Sequence, residues 1–188
     1  MIVNEMKISA GKYKGRNFYR PAGIRPTQGI LRAAVFDILG HDLEGLSFLE
    51  LYAGSGAMSL EAISRGACRV VMVEHDRKNA QVIRQNCELL RIHLGGPYRL
   101  LEADALAAIK RLSADGQRFN IVFLDPPYGL KLVKKTLKVI RGNDILHPQS
   151  FMVMQCDRRD LPDVPEGFSL ITQRRYGASY LIVFQKNE

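Results

Sequence analysis

Short runs of uninterrupted apolar residues recur along this chain, each followed by a stretch with helical spacing. That alternation restricts the fold more than any other feature. SFLEL, RVVMVE and FNIVFL occupy 47–51, 69–74 and 119–124. Neighbouring side chains of a strand point to opposite sides of its sheet, so a run apolar at every position is a strand buried on both faces. Further strands are expected in YRLLEAD (98–104) and SFMVMQC (150–156). Helices fill the intervals: SLEAISRG, ALAAIKRL and Leu130–Arg141, with Asp76 placed to cap one that aligns Ala80, Ile83, Cys87 and Leu90. Ahead of the first strand, Ile30, Leu31, Ala34, Val35, Ile38 and Leu39 share a helix face that Gly40 ends. Such alternation gives a parallel sheet covered on both faces, and the right-handed crossover rule makes it doubly wound. FSLITQRRY and SYLIVFQK are separated only by Gly177 and Ala178, so they pair as an antiparallel hairpin. The expected fold is α/β: a doubly wound, mostly parallel seven-stranded sheet with a terminal antiparallel hairpin.

The first residues differ from the rest. Up to Arg25 the chain carries Lys7, Lys12, Lys14, Arg16, Arg20 and Arg25 against the single acid Glu5, most of a net charge of +8. Gly11 and Gly15 separate β-prone pieces, and Tyr13, Phe18 and Tyr19 lie among the bases. This reads as a small basic β-hairpin extension over 1–26, joined to a larger domain over 27–188. A basic surface favours a polyanionic partner; a solvated arm is the plainer alternative.

The strand ends carry the chemistry. AGSG follows the first strand, and glycine there lets a ligand approach the main chain closely. Glu74 ends the next strand, 20 residues beyond Gly54, the spacing at which an acid reaches ribose hydroxyls. Asp104 ends the third. The dinucleotide pattern would need a glycine at position 59, where Ser59 stands. After the fourth strand comes Asp125, Pro126, Pro127, Tyr128 and Gly129. The prolines fix two φ angles and remove two backbone donors, so the chain leaves the sheet rigidly behind a carboxylate.

Several classes are disfavoured. Cys68, Cys87 and Cys156 form no C-x-x-C pair, and the four histidines are scattered, so neither a disulfide framework nor a metal site is expected. The N-terminus has no apolar signal region, and no run approaches the ~20 residues of a membrane span. A cytoplasmic monomer with no membrane contact is expected.

With AGSG on the first strand and DPPY on the fourth, the chain resembles class I S-adenosylmethionine-dependent amino-methyltransferases. More specifically it resembles the small RsmD-type family, which methylates the exocyclic N2 of a guanine in bacterial small-subunit ribosomal RNA. ISAGKYKGR (8–16), RPT (25–27), ELYAGSGAMSLEAISRGA (50–67), VEHD (73–76) and YGASYLIVF (176–184) carry the likeness further. The resemblance implies S-adenosylmethionine as cofactor, with Gly54 and Gly56 around its methionine part, Glu74 on its ribose and Asp104 on its adenine amine. Thr27, Glu50, Ala53 and Ala105 complete that set. It implies that Asp125, Pro126, Pro127 and Tyr128 receive the target base, and that ribosomal RNA is the partner, either naked or within an assembling small subunit. The family pattern has Asp where Glu50 stands, often Glu where Gln155 stands, and often a longer polar run where QGILRAA leaves only Arg32.

An exocyclic amine is a poor nucleophile because its lone pair is delocalised into the ring. The Asp125 carboxylate and the Pro126 carbonyl can accept its two N–H groups and favour a pyramidal nitrogen, while Tyr128 stacks on the extruded base. Lys131, Lys134, Lys135 and Lys138 form one stripe on the following helix. With Lys12, Lys14 and Arg16 of the hairpin they are candidate RNA contacts, although a lysine stripe is ordinarily a solvated face. Three other readings stay open: a DNA adenine-N6 or other nucleic-acid amino-methyltransferase, a nicotinamide oxidoreductase, and a non-catalytic RNA-binding protein.

Overall fold

The computed structural model describes residues 2–21 and 29–188. A two-stranded antiparallel hairpin, β1 (Ile2–Lys7) and β2 (Asn17–Pro21), precedes helix α1 (Gly29–Leu39). Then follow β3 (Ser47–Leu51), α2 (Ala57–Ser64), β4 (Arg69–Glu74), α3 (Arg77–Leu90), β5 (Tyr98–Glu102), α4 (Ala105–Ala114) and β6 (Phe119–Leu124). The chain ends with α5 (Leu132–Arg141), β7 (Leu146–Asp157), β8 (Phe168–Tyr176) and β9 (Ser179–Lys186). The seven-stranded sheet runs β5-β4-β3-β6-β7-β9-β8, with β9 antiparallel to both β7 and β8. The order reverses between β3 and β6, the switch point of a doubly wound sheet.

The apolar runs divide residue by residue between two cores. Phe48, Val70, Met72, Ile121 and Phe123 face one side with α1, α2, α3 and the hairpin. Leu49, Leu51, Val71, Val73, Val122 and Leu124 face the other with α4 and α5. That two-sided burial is why the runs show no polar alternation.

Several boundaries differ from the sequence-based expectation. α5 begins at Leu132 rather than Leu130, because Gly129 (φ 80) and Lys131 (φ 53) both take left-handed turns. β5 stops at Glu102, and Asp104 lies beyond it as the cap of α4. β7 is longer than expected, running from Leu146 through a left-handed Gln149. On α1, Ile30 is solvent-exposed, while Phe36 and the aliphatic stem of Arg32 complete the buried face.

The hairpin is fastened to the domain by buried polar contacts. Helix α2 is buried along its whole length, between the sheet and the hairpin loop. The Glu61 carboxylate at its centre accepts from the Ser9 amide (2.9 Å), the Ser9 hydroxyl (2.6 Å), the Ala10 amide (3.0 Å) and Arg65 Nε (3.0 Å). Arg32 Nε lies 3.5 Å from its other oxygen. The Lys12 amide donates to the Ser64 carbonyl at 2.7 Å. The loop approaches so closely that a Cβ on Gly11 (φ 76) would sit 1.8 Å from the Ser64 oxygen. Farther along, Asn86 of α3 accepts from the Tyr19 amide (2.7 Å) and donates to the carbonyls of Tyr19 (2.8 Å) and Ser55 (3.1 Å).

Removing the Glu61 carboxylate strands two buried guanidiniums and three other donors. Glu61→Ala is therefore expected to lose about 3–5 kcal/mol of stability, read as a lower urea midpoint with unchanged slope.

Candidate functional site

A cavity of about 440 Å³ opens at the carboxyl ends of β3, β4, β6 and β7, over the switch point. Parallel pairing puts those ends at one level: Leu51 lies beside both Val73 and Leu124, and Leu124 beside Met154. The residues that follow each strand therefore meet around one opening.

From β3 come Glu50, Tyr52, Ala53 and Gly54. Tyr52 takes φ 62 and sends its hydroxyl to Thr136 Oγ1 of α5, 2.7 Å away, which pins the turn to the far helix layer. Gly54 (φ 57) then turns its amide onto Glu74 Oε2 at 2.7 Å. Gly56 (φ 74) lies deeper, at the cap of α2, where a Cβ would press on Ile83 and the Met72 sulfur at 3.4 and 3.5 Å. Its role is to begin the helix rather than to line the opening.

Glu74 is buried at the tip of β4. Its second oxygen accepts from the Asp76 amide at 2.9 Å and lies 3.4 Å from His75 Nδ1. Asp104 faces a different task. One of its oxygens caps α4 by accepting from the amides of Leu106 (2.9 Å) and Ala107 (3.0 Å), and neither it nor Ala105 forms part of the cavity wall. Thr27 lies outside the described residues.

Asp125, Pro126, Pro127 and Tyr128 form the opposite wall. The Tyr128 hydroxyl is 2.8 Å from Ser179 Oγ and accepts from Gln155 Nε2 at 2.9 Å, so the ring is held at both sheet neighbours. His75, Asn79, Phe123 and Gln155 also reach the cavity and were not among the residues singled out from sequence as ligand contacts. Gln155 follows β7's Met154 as Asp125 follows β6's Leu124, and those two pair, a relation that only the register supplies.

The basic candidates separate. Helix α2 descends from the rim at Gly56 to Ser64 at the opposite edge of the sheet, a span of ~12 Å at ~1.5 Å per residue. Lys12 contacts Ser64 there, and Arg16 donates to the Leu89 carbonyl at the lower end of α3 (2.7 Å). Lys12 and Arg16 thus make their contacts at the ends of α2 and α3 remote from the glycine turn, and none of Lys12, Lys14 and Arg16 lines the cavity. Lys131, Lys134 and Lys135 are exposed at the rim end of α5, on the other face of the sheet. Among the described residues there is no cluster of three or more metal-ligating side chains, and no helix long and apolar enough to cross a membrane.

A doubly wound sheet ending in an antiparallel hairpin, with a glycine turn, a strand-end acid and a DPPY wall around one opening, is that of a Rossmann-like methyltransferase. The model of the family described as "Conserved hypothetical protein 95" matches residues 6–185, and the chain belongs to that family. Ribosomal RNA small subunit methyltransferase D of Escherichia coli is 29% identical over 97% of this chain and 90% of its own length. The solved structure of Escherichia coli yhhF is 28% identical, covers 98% of this chain and 99% of that one, and has a TM-score of 0.85. Thermus thermophilus protein TTHA0928 is also 28% identical, with a TM-score of 0.79 over 95% of this chain and 98% of that one.

Glu50 has an unusual setting. It is buried against α2, accepts from the Ser59 amide at 2.9 Å, and desolvation raises its pKa from 4.5 to about 7 despite that bond. An acid raised on folding binds protons more tightly in the folded state, so its burial in ionised form costs stability above about pH 7. The cost fades as pH falls from there toward 4.5. Glu50→Gln, neutral throughout, should melt higher than the native protein at about pH 8, and the gap should narrow as pH falls and close below about 4.5.

Proposed function

We propose that the protein transfers a methyl group from S-adenosylmethionine to the exocyclic N2 amine of a guanine in small-subunit ribosomal RNA. The observation that carries this reading is that Asp125–Tyr128 and the Gly54–Glu74 turn wall the same cavity. The named activity of the Escherichia coli relative supports ribosomal RNA as the substrate. That activity belongs in the cytoplasm, where ribosomes are assembled.

The residues present fit the cofactor. The cavity's size is that of a small-molecule site. Gly54 presents bare backbone for the methionine part. Glu74 has lone pairs beyond those its two amide partners use, enough to accept ribose hydroxyls. Asp104 keeps the oxygen not used in capping for the adenine amine, with Ala105 beside it. When bound, the cofactor supplies an electrophilic sulfonium methyl.

The chain's own residues prepare the amine. Asp125 accepts one N–H and the Pro126 carbonyl accepts the other, turning the nitrogen lone pair toward the methyl. Rigid prolines keep those acceptors in place, so little reorganisation is left for the transition state. The amine becomes acidic as it is alkylated, so Asp125 need not remove a proton beforehand. Tyr128, anchored through its hydroxyl, offers a fixed ring for the extruded base. The lysines at the rim end of α5 are placed for phosphates flanking that base. Lys12, Lys14 and Arg16 would meet RNA farther from it. The described residues of one chain wall the cavity, which supports a monomer as the working unit.

Asp125→Ala should keep cofactor affinity and lose roughly 10²–10³ in single-turnover methyl transfer to ribosomal RNA, the scale of one electrostatic contact. Glu74→Ala should instead weaken S-adenosylmethionine roughly 10- to 150-fold by calorimetric titration, since hydrogen bonds to a charged group are worth about 1.5–3 kcal/mol. Near-normal turnover in the first variant, or unchanged affinity in the second, would remove the role assigned.

A further inference from the structure

Gln155 stands near the end of β7, two residues before Asp157 and paired with Leu181 of β9; it is 7% exposed and lines the cavity beside the DPPY wall. Its amide is only half used. Nε2 donates to the Tyr128 hydroxyl at 2.9 Å, whereas Oε1 is buried with no hydrogen-bond partner among the described residues. A buried, unpaired carbonyl oxygen is destabilising, so a partner arriving with the substrate would relieve that cost.

The sheet register says where the oxygen stands. Leu124 pairs with Met154 on strands ~4.8 Å apart, so Asp125, the first residue after β6, and Gln155 of β7 each follow a member of one matched pair. They share a face, since Phe123 and Val153, the paired residues two positions earlier, both belong to the same core. The Tyr128 hydroxyl accepts from Gln155 Nε2 and lies 2.8 Å from Ser179 Oγ. That chain of hydrogen bonds orients the amide with its oxygen as the leftover end.

We propose that Gln155 Oε1 is the specificity-determining acceptor for the N1–H of the target guanine, next to the acceptors that hold the N2 amine. The inference rests on the reading of the protein as a guanine-N2 methyltransferase. On the Watson–Crick edge, guanine presents two adjacent donors, N1–H and N2–H₂. Adenine presents an acceptor, N1, beside its amine. Two neighbouring acceptors in the site match the first pattern. Against the second they set oxygen facing a nitrogen lone pair and leave Oε1 unpaired. Gln155 thus discriminates between bases that both carry an exocyclic amine, while Asp125 and Pro126 act on the amine itself.

The test uses 2-aminopurine, which keeps the C2 amine but has a lone pair at N1 in place of N1–H. Small-subunit RNA, free or assembled, is ligated to carry guanine or 2-aminopurine at the methylated position. Single-turnover rates are compared for the native enzyme, Gln155→Leu, which keeps the volume without the acceptor, and Gln155→Glu, which keeps an acceptor. Loss of O6 in the analogue affects all three alike, so the change in the guanine-to-2-aminopurine ratio isolates position 155. The ratio should fall about 10- to 100-fold in Gln155→Leu and persist in Gln155→Glu. S-adenosylmethionine titration, expected to be unaltered, reports that each variant is folded. A ratio equal to the native one in Gln155→Leu overturns the proposal while leaving guanine methylation standing. A native enzyme that takes 2-aminopurine as readily as guanine overturns it without any variant. A native enzyme that methylates neither base at N2 sinks the reading on which the proposal rests.

Discussion

The parallel register of four strands sets what this protein can do. Leu51 is flanked by Val73 and Leu124, and Leu124 in turn by Met154, so β3, β4 and β6 end within a residue of one height while β7 runs on to Asp157. Slipping one strand by a single residue would exchange its two faces and send Phe123 and Val122 into each other's cores. The same slip would carry Asp125 away from the glycine turn. Core packing therefore sets the register, and the register brings the chemistry together. The two apolar layers account for both stability and site geometry.

Polar groups buried beneath the site do a different job from those at its rim. Glu61 and Asn86 are fully buried and richly bonded; they fix the hairpin against α2 and α3, and Asn86 also holds the Ser55 carbonyl in the glycine turn. Glu50 is buried with a raised pKa, a cost tolerated where the side chain forms part of the cavity wall and supports the α2 amide at Ser59. Gln155 carries an unpaired oxygen at the same opening. Buried polar atoms without a partner occur in both places among the described residues: Gln155 Oε1 at the opening, and Asn17 Oδ1 with Arg32 Nε and Nη1 beside the hairpin.

Much of this was legible in the sequence because both signals were local. Continuous apolar runs gave the strands of the parallel sheet, and their carboxyl ends carried Gly54, Glu74 and Asp125. The two-residue link at Gly177–Ala178 gave the β8–β9 pair with its observed ends. What could not be read depended on tertiary geometry. Asp104 looks like a strand end, yet it stands beyond β5 as the cap of α4, with one oxygen engaged there. The hairpin's composition is basic, but its docking against Ser64 carries Lys12 and Arg16 to the far edge. Gln155 is an ordinary strand residue until its pairing neighbour is known. Thr27 lies outside the described residues.

If this cavity methylates the N2 of guanine in ribosomal RNA, the product nucleoside reports it. The direct measurement is digestion of ribosomal RNA, free and in small-subunit particles, after incubation with the enzyme and isotopically labelled S-adenosylmethionine, followed by mass spectrometry of the nucleosides. Methylation at guanine N2 requires the label to appear in N2-methylguanosine. Label found instead in N6-methyladenosine, or in no nucleoside of either substrate, would contradict it.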